Sequence, residues 1–411
     1  MIRPHLALLA VSALTLPAQV TVLSHATIID GAGNPPIRDG SVVMANGHIA
    51  DMGPASKVKT PAGAQVIDLS GKTIIPGIFN LHSHIDENTP AKLRMYAHYG
   101  VTSTIGMGGD GDEVLKIRDA QRHGDLQGAR LYTVLSRFEF EKDAKTPEEA
   151  RAKVDELYRR GADAVKLVVD DRRQTVAKLK PEIQLAIVDQ THKHGLKALA
   201  HMYYYDDAKF LMDHGLDIFA HEVRDREVDA AFMDEMKAKR VTVIPTLVRE
   251  ISSYVYADSP AWLDDPFLLK WMPADRVQEG RTKLKELDEK DPQIALNRRE
   301  FEIASKNLKK MAAAGVRIGF GTDTGHGNPR YEGFFEHLEM QLMVESGGMT
   351  AMQVIQAYSK TNSEALGVDK EYGTLAKGKA ADLVVLDKSP LESILNTRSI
   401  HAVYLAGKKY E

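Results

Sequence analysis

The stretch RRGADAVKLVV, Arg159 to Val169, decides the fold. A helix ends at Arg160, Gly161 supplies the left-handed turn that closes it, and an apolar strand starts almost at once. The same phrase recurs at Tyr99-Gly100-Val101-Thr102, His194-Gly195-Leu196-Lys197, His214-Gly215-Leu216-Asp217 and Ala314-Gly315-Val316-Arg317. The helix before Gly161 also shows its beginning. Thr146-Pro147-Glu148-Glu149 reads as a capping box with proline at the first helical position, and Ala150, Val154 and Leu157 make the inner face. The repeated unit predicts strands at Ile74–His84, Val101–Ile105, Leu131–Leu135, Ala164–Val169, Lys197–His201, Ile218–His221, Val241–Leu247 and Val316–Asp323. Strands alternating with helices in this way predict an α/β fold, a (β/α)8 TIM-type barrel rather than an open doubly wound sheet.

Both ends of the chain have strand character of their own. Val20 to Ile29 alternates in part, and Asp382–Leu386 and His401–Leu405 match it at the other end. Asn46-Gly47, between two apolar runs, is a two-residue hairpin turn in which both positions need φ > 0. The expected arrangement is a small β-sandwich domain built from residues 19–74 and 374–411 around a barrel spanning 75–373. Residues 249–299 hold both tryptophans, Trp262 and Trp271. A connection of about 50 residues is too long for a plain loop, and it follows a strand end, so it reads as a lid-like insertion. Residues 1–18 read as a signal peptide, with Arg3 and His5 before an apolar run from Leu6 to Leu16. Export to the periplasm or the medium is the expectation, a cytoplasmic protein the alternative.

Composition narrows the partners. The chain has 411 residues, is 43% hydrophobic and 27% charged, and sets 53 Lys+Arg against 57 Asp+Glu, a net charge of −4. No basic stripe stands out, which argues against nucleic acid. No apolar run reaches the ~18 residues that a transmembrane helix needs. The chain has no cysteine, which removes disulfides, a thiolate nucleophile and sulfur ligands, so any metal site rests on the 15 histidines and on oxygen. A small-molecule substrate is the expected partner, with a homo-oligomer left open.

Polar residues end the predicted strands. His82-Ser83-His84 closes the first, where period two puts both imidazoles on one face. Lys166 sits inside the apolar run of the fourth, His201 and His221 end the fifth and sixth, and Asp323 ends the eighth. Each histidine and Asp323 alone has an ordinary structural explanation, and Lys166 is harder to dismiss, since snorkelling from mid-strand works poorly in a covered barrel; their coincidence at one rim marks a site. Tyr203, Arg137, Arg249, Arg330 and His337 follow strand ends and are candidate substrate contacts, an arginine being suited to clamp a carboxylate. His337-Leu338-Glu339 lies in a predicted helix and lacks a partner for a metal site of its own. Gly106 to Gly111 matches a dinucleotide-binding fingerprint, but Ser136-Arg137 stands where the ribose-binding acid belongs, so the glycines read as a loop.

The string PGIFNLHSHI, Pro76 to Ile85, followed in order by Lys166, His201, His221 and Asp323, resembles the amidohydrolase superfamily. More narrowly it is similar to imidazolonepropionase-like and Xaa-Pro dipeptidase-like amidohydrolases, and Tyr372–Leu375 and Gly378–Leu386 extend the likeness. One position departs: the family usually has aspartate where this chain has Asn80. The resemblance implies a binuclear centre. His82, His84 and Asp323 would hold one divalent ion and His201 and His221 the other, with a carbamate on Lys166, formed from CO2, bridging them. Zinc suits these ligands, with manganese or cobalt as alternatives. A protonated lysine would repel a cation, whereas burial favours the neutral amine that takes up CO2. The implied reaction is hydrolysis of an amide or peptide-like C–N bond by a metal-bridging hydroxide, with dipeptides or N-acyl amino acids as substrates and Asp323 as proton carrier. A lactone or ester hydrolase on the same site is an alternative. A non-catalytic scaffold is another, against which the filled ligand positions argue. Related deaminases place a glutamate where this chain has Arg224, which disfavours deamination.

Overall fold

Alternating apolar residues draw the two ends of the chain into one sheet. The computed structural model describes residues 20–85, 88–139, 142–325 and 330–411, so the expected signal peptide lies outside the described residues. Strands β1 (Thr21–Ile28), β2 (Ile37–Ala45), β3 (His48–Pro54), β4 (Gln65–Asp68) and β5 (Thr73–Pro76) come from the front of the chain. A later set, β15 (Leu383–Leu386), β16 (Ile400–Leu405) and β17 (Lys408–Tyr410), comes from the back. The order is β17-β16-β15-β5-β1-β2-β3, with β4 also on β1, and β15 runs antiparallel to β5 in register Leu383↔Pro76 to Leu386↔Thr73. Leu23, Val42, Ile49, Ile74, Leu383, Val385 and Tyr404 meet in a core that both ends supply. The hairpin turn is as expected, with φ of 52° at Asn46 and 81° at Gly47.

Between these sets the chain alternates strand and helix. Strands β6 (Ile78–Ser83), β7 (Val101–Gly106) and β8 (Arg130–Thr133) form one parallel sheet. A second parallel sheet runs in order β9 (Arg137–Phe138), β10 (Val165–Val169), β11 (Ala198–Met202), β12 (Ile218–Phe219), β13 (Thr242–Val243) and β14 (Arg317–Ile318). The chain just past β14 returns to β6: Leu81 N–H donates to Phe320 O at 3.0 Å, Asp323 N–H to His82 O at 2.8 Å, and Ser83 bridges Thr324 in parallel. Strands β8 and β9 belong to one run interrupted near Leu135, which has φ of 63°.

Three predicted strands, Ile218–His221, Val241–Leu247 and Val316–Asp323, are regular strands only over Ile218–Phe219, Thr242–Val243 and Arg317–Ile318. The run Val241–Leu247 keeps ladder pairing only at Thr242–Val243. Thr246 then turns at φ of 52°, and a helix, Leu247–Ile251, begins. The Glu339 carboxylate accepts from the N–H groups of Leu247 at 2.9 Å and Val248 at 2.7 Å, which satisfies a helix start that strand pairing would otherwise use. The predicted first strand divides at Gly77, where a Cβ would lie 2.2 Å from Thr102 Oγ1; β5 then serves one sheet and β6 the other. The 249–299 insertion is a chain of short helices before the long helix Ile294–Ala314. Tyr256, Leu263, Leu268 and Val277 pack there against Phe334 and Phe335, so the insertion has a core of its own.

Candidate active site

Strands β6 and β14 bring His82, His84 and Asp323 together. Their ligand atoms lie within 4.8 Å of one another, with His84 Nε2 2.9 Å and His82 Nε2 3.2 Å from the same Asp323 oxygen. Asp323 reaches this position through a left-handed backbone, φ 57°, a conformation that costs a non-glycine residue energy. The His221 ring centre is 4.6 Å from that of His82 and 4.4 Å from that of His201. Neighbours orient both of these rings: Asp170 bonds His201 Nε2 at 2.9 Å, and Thr246 Oγ1 bonds His221 Nδ1 at 2.7 Å. The Asp170 carboxylate can only accept, which reserves His201 Nδ1 as the lone-pair atom, and Thr246 fixes the orientation of the His221 ring, the arrangement by which metal-binding histidines are held in place.

Electrostatics favour ligands over cations. Burial pushes His82 down to about 3, His201 to about 4 and His221 well below the usual imidazole value, so all are neutral at pH 7. Burial also brings Lys166 down to about 7, where a large fraction is the free amine. The same burial works against ionisation of Asp323, but Arg330 and the two imidazoles override it and hold the carboxyl well below its usual range. Neutral imidazoles, an anionic carboxylate and a depressed lysine, without sulfur, form a donor set that fits a divalent ion.

These residues line a cavity of about 550 Å³ that also holds six arginines, Arg137, Arg172, Arg173, Arg224, Arg249 and Arg330, against four carboxylates, Glu139, Asp170, Glu300 and Asp323. Arg137 and Arg172 both bond Glu139, and Arg173 bonds Glu300 at 2.7 Å. Arg330 donates to Asp323 Oδ2 at 2.5 Å. Arg249 and the fully buried Arg224 share one oxygen of Glu250, at 2.8 and 3.4 Å. The Tyr203 hydroxyl donates to Glu300 at 2.6 Å, and the Arg224 guanidinium lies over the Tyr203 ring. A larger hollow, about 670 Å³, lies among His98, Trp271 and the C-terminal strands, but it contains none of the candidate ligands.

The structure therefore brings Tyr203, Arg137, Arg249 and Arg330 to the cavity and leaves His337 out. His337 is buried behind it, with Nε2 on Tyr99 O at 2.8 Å and Nδ1 on Thr397 Oγ1 at 2.9 Å, so both ring nitrogens are committed to the core. Asp170, Thr246, Arg172, Arg173 and Glu300 were not expected. Asp170 directly follows the fourth apolar run and could have been read as another polar strand end; Glu300 sits in the long helix Ile294–Ala314, just past the insertion, and carried no signal.

A family model described as Amidohydrolase family matches residues 73–409. The chain belongs to the amidohydrolase family. A proposed prolidase from Bifidobacterium longum superposes with a TM-score of 0.79 at 25% identity, covering 95% of this chain and 94% of that one. Sequence likeness to individual characterised amidohydrolases is more local. Ochratoxinase from Aspergillus niger is 33% identical over 116 residues, 26% of this chain and 23% of that protein. A 5-methylthioadenosine/S-adenosylhomocysteine deaminase from Moorella thermoacetica is 35% identical over 85 residues, 20% of each chain. The chain thus matches only about a quarter of the length of these two relatives.

Proposed function

We propose that this amidohydrolase is a metal-dependent hydrolase of small amides, cleaving a C–N bond in a dipeptide or an N-acyl amino acid. The observation that carries the reading is the convergence of His82, His84 and Asp323 in a cavity that His201, His221 and Lys166 also line. His82, His84 and Asp323 would hold one divalent ion and His201 and His221 a second, with Lys166 as a carbamate between them and zinc as the metal. Bound there, the ions supply Lewis acidity and lower the pKa of water toward ~7.

The chain's own residues account for the rest. Asp323, ionised at neutral pH, takes the proton of the attacking water and passes it to the leaving nitrogen, while the carbonyl carbon gains oxygen and the C–N bond breaks. Arg330 orients that carboxylate. Arg224 and Arg249 together carry one more positive charge than Glu250 neutralises, which favours the substrate carboxylate beside them. The two parallel sheets, joined where the chain past β14 meets β6, support an eight-stranded barrel with the site at its rim. The sheet built from both ends, closing over its own core, supports the small sandwich.

Deamination is the second reading, favoured by the Moorella thermoacetica likeness. Metal analysis of protein purified with bicarbonate, followed by assays on dipeptides, N-acyl amino acids, lactones and aminopurines, separates the readings. About two metal equivalents with amide turnover is the expected result. Release of ammonia from an aminopurine, with no amide cleaved, would replace the proposal with deamination. A chain that takes up no metal after reconstitution would defeat both.

A further inference from the structure

Behind the three converging ligands lies a buried polar cluster that the reaction does not use. Glu336, at the first turn of the helix Phe334–Glu345, is fully buried. Its Oε1 accepts from Asn80 Nδ2 at 2.7 Å, Thr322 Oγ1 at 2.7 Å and Thr324 Oγ1 at 3.0 Å, and its Oε2 from Gly333 N–H at 2.6 Å. Asn80 Oδ1 in turn accepts from His82 N–H at 3.0 Å, and Asn80 Nδ2 also donates to Thr322 at 2.8 Å. Tyr96 OH closes the network on Thr324 at 2.6 Å. With the Thr324 proton directed to Glu336, Tyr96 is the donor there, and the Thr322 and Thr324 hydroxyls lie 2.8 Å apart beside the carboxylate.

The placement of these partners is specific. Asn80 precedes His82 by two residues on β6, and Thr322 and Thr324 flank Asp323 where its backbone is left-handed. One carboxylate therefore grips both segments that carry the ligands, on either side of the point where they must converge. It also dictates the amide at position 80. The Asn80 oxygen is fixed by His82 N–H, so the other end must be a donor toward Glu336; an aspartate there would set two carboxylates face to face at hydrogen-bond distance.

We propose that Glu336 is a positioning residue for the candidate metal centre, holding β6 and the end of the eighth strand at the separation at which His82, His84 and Asp323 share an ion. The proposal rests on the metal-dependent reading above. It requires one acid and one amide across the pair Asn80 and Glu336, in either order.

Cobalt(II) titration of the metal-free protein, read by its visible absorption, tests this without reference to turnover. Glu336→Ala is expected to weaken cobalt binding about 10–100-fold, the usual cost of losing a partner that orients ligands. Asn80→Asp alone is expected to weaken it as well, whereas the exchange Asn80→Asp with Glu336→Gln should recover affinity to within a few-fold of the parent. Thermal melts of each variant report folding; if Glu336→Ala does not fold, the exchange pair alone decides. A parent that takes up cobalt while Glu336→Ala matches its affinity and spectrum overturns the proposal and leaves the metal reading intact. So does an exchange variant no tighter than Asn80→Asp. A parent that takes up no cobalt overturns the metal reading and the proposal together.

Discussion

Asp323 answers to four neighbours at once: His82, His84 and Arg330 contact its carboxylate, Arg249 lies 3.8 Å from it, and its backbone is left-handed. Asp323→Asn keeps the shape and removes the base. We expect kcat to fall about 10²–10⁴-fold, the contribution of a placed proton carrier, with much of the metal retained. A variant within a few-fold of the parent in kcat would remove Asp323 from that role. Arg249→Ala should raise KM about 10–100-fold on substrates with a free carboxylate, as expected when a charged clamp is lost, and change KM far less on their neutral amide analogues, whereas any effect through its 3.8 Å pairing with Asp323 would fall on kcat for both. Equal rises in KM on both substrate forms would point away from a carboxylate clamp. The residues that converge on the cavity were legible because strand period and strand ends are written in the sequence, and Lys166 because an ammonium inside VKLVV is hard to place as an ordinary surface residue. Asn80 was visible only as a departure; its sense appears when Glu336, 256 residues away, is found against it. His337 misled because a histidine in the helix after the eighth strand reads the same whether it faces the cavity or the core.

At the scale of elements, the helix Phe334–Glu345 connects parts of the site that sequence distance separates. Glu336 reaches the ligand strands, and Glu339 caps the helix Leu247–Ile251, which carries Arg249. No local pattern announces such caps, because donor and acceptor lie about 90 residues apart in sequence yet satisfy the same orphan N–H groups that a local cap would. Burial pushes Glu339 from a carboxylate's usual 4.5 up to about 8, against the pull of the two N–H groups. The sign follows from proton binding: between about pH 4.5 and 8 the folded protein holds this proton more tightly than the unfolded chain does. This contribution to stability is fully present below about 4.5 and is lost as pH rises through about 8. Melting temperatures of the metal-free protein, compared with those of Glu339→Gln, isolate it from the histidines, which act in the opposite direction. The parent should lose stability relative to the variant across that range. Parallel profiles would mean that Glu339 does not titrate there.

At the scale of the molecule, alternation exposed the joining of the two chain ends into one sheet, whereas the contribution of the helix Ile294–Ala314 to the site stayed hidden. Glu300 and Asn297 reach Arg173, and Glu300 also holds Tyr203, contacts made by buried polar positions of a helix whose neighbours only the fold supplies. The proposed centre draws its ligands from strands far apart in sequence, so metal loading should stabilise the whole central unit by mass action. An ion at 100 times its Kd adds about 2.7 kcal/mol, and removing it should lower Tm by a few degrees in a chain of this size. The expected experiment is a pair of melts, with zinc and with chelator, on the parent and on a variant carrying His82→Ala and His84→Ala. The parent should shift and the variant should shift less, because the variant loses two of the three donors of the first site. A parent whose Tm ignores zinc would mean that these six residues do not form the linked centre their convergence implies. An equal shift in both proteins would place the stabilising ion elsewhere, away from β6.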